Sequence, residues 1–430
     1  MKILFDSAAS MNLGDIGMME GVVSHWCTAY SELEACVLDR VHEESFLWCD
    51  PRVHRIQSLD IAIYRSDALG FLEDLPFIWR LARKRKNLVL KSVIRRLGNQ
   101  LRAANLPLEV RQGSHGPTTM GEMCAPFDAL HLSGGGNFTS TFPFEMIRKC
   151  ALVRCFQEQD KPVIVTGQQI GPFTDKDARQ CVKGALSSLR LIGVREPVDS
   201  LSFAREIAGD SIPLAMMGDD SFGLPEADPA VVDMLLKGVH LSGQRFLALN
   251  LRVASYMSST SQQMKHIVSF VRQLSQHTGL PILVVPIAMG EGDSDIASGR
   301  RLAEEVGDGI VRVLDDPGLN ATLARGVLGR AVAGLGTSYH FCTFALSQGV
   351  TAICLYDGAY YTQKAKGLAA FWGDKRLLCS FEQLNEPGTL HGICSTLADQ
   401  SLKQQLERRS REAIRIWEDY FALAVSRLRC

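Results

Sequence analysis

Residues 332–368, VAGLGTSYHFCTFALSQGVTAICLYDGAYYTQKAKGL, carry the pattern on which the fold reading rests. A short apolar run at 332–335 predicts a buried strand. A small-residue turn with Ser338 and His340 follows, then a helix from about 341 to 348 and a second apolar strand at 352–356. Beyond that strand the chain opens into Tyr360, Tyr361 and Lys364. Apolar runs that lead through small or glycine-rich turns into helical patterns are the signature of parallel α/β units. In open sheets of such units, ligands bind at the strands' carboxyl ends. His340 at the first turn and Lys364 beyond the second are therefore expected to share one crevice.

The same pattern recurs on either side of this stretch. A strand at 1–5 runs into SAASMNLGDIG, which places Asn12, Gly14 and Asp15 before a helix at 16–26. Asp15 fits the N-cap of that helix as well as it fits a chemical role. A strand at 128–133 ends in Gly134, Gly135, Gly136 and Asn137, whose backbone N–H groups could meet a phosphate or carboxylate; a tight turn against a neighbouring helix fits equally. Strands at 162–166 and 191–194 lead to GQQIGPF and to Arg195. A further strand at 246–251 ends at Arg252, a second cation at a strand end, and residues 399–428 are helical in pattern.

A chain of 430 residues exceeds what one hydrophobic core usually serves. We expect an α/β protein of two Rossmann-like domains with mostly parallel sheets, over 1–224 and 225–400, followed by a helix at 401–430 that packs across their junction. A basic helical insertion is expected over about 71–126. Within it, residues 80–102 hold nine Lys and Arg and no acid, interleaved with apolar residues. Such a segment suits a solvated helix packed by its apolar stripe, with peripheral contact to an anionic membrane or a lipid-linked substrate as the alternative.

A net charge of −1 gives no general reason to expect a nucleic-acid partner, and no run reaches the roughly 18 apolar residues of a membrane span. A location in the cytosol is expected, with the inner membrane face as the alternative. The twelve cysteines are scattered and show no CxxC pairs, so no disulfide frame and no metal site is predicted.

Eight collinear pieces resemble the polysaccharide pyruvyl transferase family: NLGDIGMMEG (12–21), LSGGGNF (132–138), VTGQQIGPF (165–173), GVREPVDS (193–200), GDDSF (218–222), LNLR (249–252), VVPIAMGEGD (284–293) and 338–368. The resemblance implies a fold similar to GT-B glycosyltransferases. It also implies transfer of a pyruvyl group from phosphoenolpyruvate, as co-substrate and without another cofactor, to two hydroxyls of a saccharide. The acceptor would be a glycan or a lipid- or nucleotide-linked sugar of exopolysaccharide or cell-surface synthesis. Ser338 departs from the family pattern, which usually has an Arg two residues before the His.

A donor with a phosphate and a carboxylate needs cations and backbone donors around it. The candidates are Arg195, Arg252, Lys364, the 134–137 turn and Ser338. His340, with Asp15 second, is the candidate for proton transfer. Asn12, Gln168, Tyr360 and Tyr361 are assigned to the acceptor, the tyrosines as a stacking surface or simply a core-edge pair. Two other readings stand beside this one. The chain could be a nucleotide-sugar glycosyltransferase with Glu291 or Asp293 on a ribose, or a non-catalytic assembly protein.

Overall fold

The computed structural model describes residues 1–6, 12–38, 50–56, 59–60, 109–112, 117–209, 211–251, 261–290, 294–307 and 309–429. Its strands are β1 (Lys2–Asp6), β2 (Glu34–Leu38), β3 (Val53–Ile56), β4 (Leu59–Asp60), β5 (Glu109–Gln112), β6 (Pro117–Thr119), β7 (Ala129–Leu132), β8 (Gly135–Phe138) and β9 (Val163–Ile170). They continue with β10 (Leu191–Val194), β11 (Leu214–Met216), β12 (Leu247–Asn250), β13 (Ile282–Val284), β14 (Val311–Val313), β15 (Ala333–Gly336), β16 (Ala352–Tyr356) and β17 (Leu378–Ser380).

These strands build two parallel sheets. The first has the order β11-β10-β9-β7-β1-β2-β3, with β8 beside β9, and the second the order β14-β13-β12-β15-β16-β17. A short antiparallel set, β4-β5-β6, stands apart. Strands covered by helices on both faces must be apolar on both, and β1, β7, β10 and β12 are continuous buried runs. In each sheet the order reverses beside the first strand, between β1 and β7 and between β12 and β15. Open sheets form their crevice at such points.

The glycine turn expected after 128–133 is a strand instead, and the strand expected at 162–166 is longer. Gly135–Phe138 is β8, and β9 runs on through the GQQI segment to Ile170. The pairs Gly135↔Gln168 and Phe138↔Ile170 explain why, since pairing satisfies buried backbone groups there. Likewise Tyr360, Tyr361 and Lys364 lie inside a helix, Gly358–Trp372.

The helix Leu13–Ala29 is buried along most of its length and lies between the sheets. A Cβ on its Gly17 would meet Ala321 Cβ at 3.0 Å and Phe344 Cζ at 3.3 Å, so helices that connect strands of the second sheet pack directly on it. Its start is also tied there by backbone: Leu13 N–H donates to Ile287 O at 2.8 Å. One apolar core consequently contains Phe5, Ile16 and Met19 together with Phe246, Ala324 and Phe344.

The last helix, Gln400–Arg429, presents Leu402, Leu406, Ala413, Trp417, Phe421 and Ala424 as a buried stripe at helical spacing. Its Arg409 Nε donates to Phe371 O at 3.1 Å, while Tyr420 Oη donates to Leu214 O of β11 at 3.3 Å. The ten cysteines among the described residues are buried. No helix among the described residues is long and apolar enough to cross a membrane.

Candidate active site

His340 is set by the turn that leaves β15. Ser338 caps the helix Tyr339–Ser347, its hydroxyl accepting from Phe341 N–H at 3.5 Å, and Ser338 N–H donates to Asn250 Oδ1 at 3.1 Å. His340 then projects from the first helical turn onto the start of Leu13–Ala29. A Cβ on Gly14 would lie 1.9 Å from His340 Cγ and 2.1 Å from its Nδ1. The imidazole therefore rests on bare backbone, and only glycine leaves room for it. The residue is 6% exposed, and its Nε2 has no hydrogen-bond partner among the described residues.

That Nε2 lies 3.7 Å from Asp219 Oδ2, and the same oxygen is 3.4 Å from Arg195 Nη1. Burial works against the Asp219 charge, but the adjacent His340 and Arg195 hold its carboxyl well below the usual carboxylate range. Arg195 leaves β10 fully buried, donates through Nη2 to Gln169 Oε1, and stacks 4.1 Å over the Tyr339 ring. Burial opposes its charge too, and Tyr339, Asp219, Tyr360 and Asp15 outweigh that penalty.

The glycine segment is where the remaining groups converge. A Cβ on Gly136 would meet Tyr360 Oη at 2.9 Å, Lys364 Cε at 3.2 Å and Arg195 Nη2 at 3.4 Å. Tyr360 Oη donates to Gly136 O at 3.4 Å, and Lys364 Nζ stands 4.6 Å from the Tyr360 ring centroid. In the same segments Asn137 Nδ2, Gln169 Nε2 and Arg195 Nε are buried donors without an acceptor among the described residues. Orphaned buried donors are costly and rare, and a cluster of them beside two cations is an arrangement suited to a bound anion.

The structure thus brings together His340, Arg195, Gly136, Tyr360 and Lys364. Other predicted residues take different places. Asn12, not Asp15, caps the helix Leu13–Ala29, accepting from Gly14 N–H at 2.9 Å and Asp15 N–H at 3.4 Å. Asp15 sits in the first turn, half-buried, where a carboxylate meets the positive end of the helix dipole. Gln168 is fully buried and donates to Ser133 O, so it braces β9 against the glycine segment. Gly134 N–H donates to Asp220 Oδ2 at 2.7 Å and is not presented to the crevice. Tyr361 packs edge-on to Tyr360, with ring centroids 5.2 Å apart. Arg252, Glu291, Asp293 and the basic segment 80–102 lie outside the described residues.

Asp219, Gln169 and Tyr339 were not among the predicted site residues. The available signal was the acid pair in MMGDD, immediately after a short apolar strand. Among the described residues no group of three or more His, Cys, Asp and Glu could hold a metal ion.

A sequence model described as "Polysaccharide pyruvyl transferase" matches residues 37–358. No curated protein matches the chain. Among solved structures, it resembles a putative UDP-N-acetylglucosamine 2-epimerase from Listeria monocytogenes at 11% identity, covering 94% of this chain and 90% of that one, with a TM-score of 0.54. The Anabaena protein HepE in complex with UDP and glucose is similar at 11% identity, 99% and 100% coverage and a TM-score of 0.55. A ugt transferase from Siraitia grosvenorii in complex with UDP matches at 10% identity, 99% coverage of each chain and a TM-score of 0.53. At these identities the likeness establishes the fold, two parallel α/β sheets of GT-B type.

Proposed function

Since the chain belongs to the polysaccharide pyruvyl transferase family, we propose that it moves the pyruvyl group of phosphoenolpyruvate onto two hydroxyls of a saccharide. The products are a cyclic ketal and inorganic phosphate. One hydroxyl adds to the enol carbon and gives up its proton as the methylene carbon takes one. The phosphate then leaves with the C–O bonding pair, and the second hydroxyl closes the ring, releasing its proton.

The observation that carries this reading is the convergence of Arg195, Lys364 and Tyr360 on Gly136, beside the orphaned donors of Asn137, Gln169 and Arg195. An anionic donor would satisfy those groups. Arg195, held flat against Tyr339 and steadied by Gln169 and Asp219, offers a planar fork that fits a carboxylate or phosphate in two points. Lys364 adds a point charge beside Gly136 and Tyr360.

His340 is the group to exchange the proton, either giving it to the methylene carbon or taking it from a hydroxyl. Its unpartnered Nε2 beside Asp219 supports that role, because Asp219 steadies the charged imidazole once a proton is taken up. Protein cations and a histidine supply all the charge and proton handling in this scheme, so turnover is expected to survive EDTA. We place the reaction in the cytosol or at the inner membrane face, where lipid- or nucleotide-linked saccharides are available as acceptors.

The deciding experiment is a thermal-shift titration of the purified chain with phosphoenolpyruvate, beside UDP- and GDP-sugars. A rise with phosphoenolpyruvate supports the donor assignment. A rise with a nucleotide sugar, unaccompanied by phosphate release in the presence of phosphoenolpyruvate, would replace the proposal with a glycosyltransferase reading. His340→Ala is expected to abolish phosphate release with its melting temperature within a few degrees of the parent; retained turnover would remove His340 from the chemistry.

A further inference from the structure

Next to Asp219 in the chain, Asp220 faces the other way. Its side chain is wholly buried and accepts hydrogen bonds from uncharged donors on three separate elements. Oδ2 takes the Gly134 N–H at 2.7 Å and the Thr166 hydroxyl at 2.6 Å, while Oδ1 takes the Trp417 indole N–H at 2.9 Å. The cradle is close-fitting. Gly167 adopts φ +55°, and a Cβ there would lie 2.7 Å from Asp220 Cγ.

Thr166 is itself held from behind. Trp26 Nε1–H donates to His131 Nδ1 at 2.8 Å, which leaves His131 Nε2 to donate to Thr166 Oγ1 at 2.8 Å. Burial pushes His131 down to about 3, so it stays neutral and keeps that tautomer. The hydroxyl of Thr166 is consequently directed at Asp220. One hydrogen-bonded chain thus runs from the helix Leu13–Ala29 through β7 and β9 to the C-terminal helix, and its one branch ends on the glycine segment.

We propose that Asp220 is a positioning residue for the anion site around Gly136, and that the C-terminal helix completes this site through Trp417. The inference rests on the donor assignment of the preceding subsection. Asp220 fixes the Gly134 amide, and that amide sets the peptide planes leading to Gly136, on which Arg195, Lys364 and Tyr360 close. Without the indole donor, a buried carboxylate loses one of three partners and no longer holds Gly134 in one orientation.

The test is calorimetric binding of phosphoenolpyruvate and of inorganic phosphate to the full chain and three variants. Trp417→Phe deletes the indole N–H and keeps an aromatic ring. Thr166→Val deletes the hydroxyl at nearly constant volume. Tyr420→Phe removes a different bond from the same helix, that to Leu214 O. We expect dissociation constants about tenfold weaker in Trp417→Phe and in Thr166→Val, the equivalent of one lost hydrogen bond. Tyr420→Phe should lower the melting temperature and leave both constants unchanged. Unchanged binding in the first two variants overturns the proposal, as does an equal loss in Tyr420→Phe, which would mean general loosening. If Trp417→Phe does not fold, Thr166→Val decides alone. A parent chain that binds neither ligand overturns the donor assignment and this proposal with it; a parent that binds, with unaltered variants, overturns this proposal alone.

Discussion

Gly14 and Gly136 are defined by the side chains that stand against them, one a histidine and the other two cations and a phenol. Each is a place where the addition of one methyl group acts on the chemistry more than on the fold. Gly14→Ala would set a Cβ within 1.9 Å of His340 Cγ, so the ring must move. A displacement of about 1 Å at a reacting group can cost on the order of a hundredfold in rate, and that is the fall in phosphate release we expect. Unchanged turnover would show that the packed position of His340 is not its working position. Gly136→Ala meets Tyr360, Lys364 and Arg195 at 2.9 to 3.4 Å, and the ends of Tyr360 and Lys364, the two tighter contacts, can relieve this by shifting. We expect the phosphoenolpyruvate concentration needed for half-maximal rate to rise about tenfold, roughly one lost polar contact, with little change in melting temperature. A stability loss without that rise would make Gly136 a packing residue only.

Among the elements, the helices that deliver site residues differ in how they are anchored. Tyr339–Ser347 is short, buried and capped by Ser338, whose hydroxyl accepts from Phe341 N–H and whose N–H donates to Asn250 Oδ1 at the end of β12. Ser338 is therefore a cap here, in the position where the resemblance led us to weigh a donor ligand. Ser338→Ala should cost about 1 kcal/mol of stability, the usual value of an N-cap, and leave donor dependence unaltered. Thermal melts beside phosphoenolpyruvate titrations check both halves; a raised donor requirement at constant stability would return Ser338 to the binding site. Gly358–Trp372 is held from outside the site, where Gln363 Nε2 donates to Asp199 Oδ2 at 2.6 Å. Its periodicity was hard to see in the sequence because glycine, two tyrosines and two lysines interrupt the apolar pattern. The helix is stabilised instead by burial of Ala365, Leu368 and Trp372.

At the scale of the molecule, two adjacent carboxyls with opposite environments give the fold a pH signature. Burial raises Asp220 to about 7, against the hydrogen bonds from Thr166, Trp417 and Gly134 that favour its anion. The folded chain thus binds this proton more tightly than the unfolded chain. The stability that results is fully present below the ordinary Asp value of about 4 and is lost as pH rises towards 7. Relative to Asp220→Asn, the parent should lose on the order of a few kcal/mol between pH 4 and pH 8, measured by denaturant unfolding at each pH. A constant difference across that range would place Asp220 at an ordinary value. Asp219 works in the opposite sense, since its lowered carboxyl stabilises the fold above about pH 4 and stops doing so only in more acid solution. The class of the fold, the strands at 191–194 and 352–356 and the polar residues at strand ends were legible in the sequence, because buried parallel strands and their turns are local patterns of apolarity and glycine. His340, Arg195, Lys364 and the glycines were legible as candidates for the same reason. Their contacts were not: Gly14 meets His340 across more than three hundred residues, and Asp220 meets Trp417 across 197. Sequence by itself determined which elements form and which side chains stand at strand ends; only tertiary structure decided which carboxylate faces the crevice and which the core, because that choice depends on partners brought together by packing of the two sheets and the final helix.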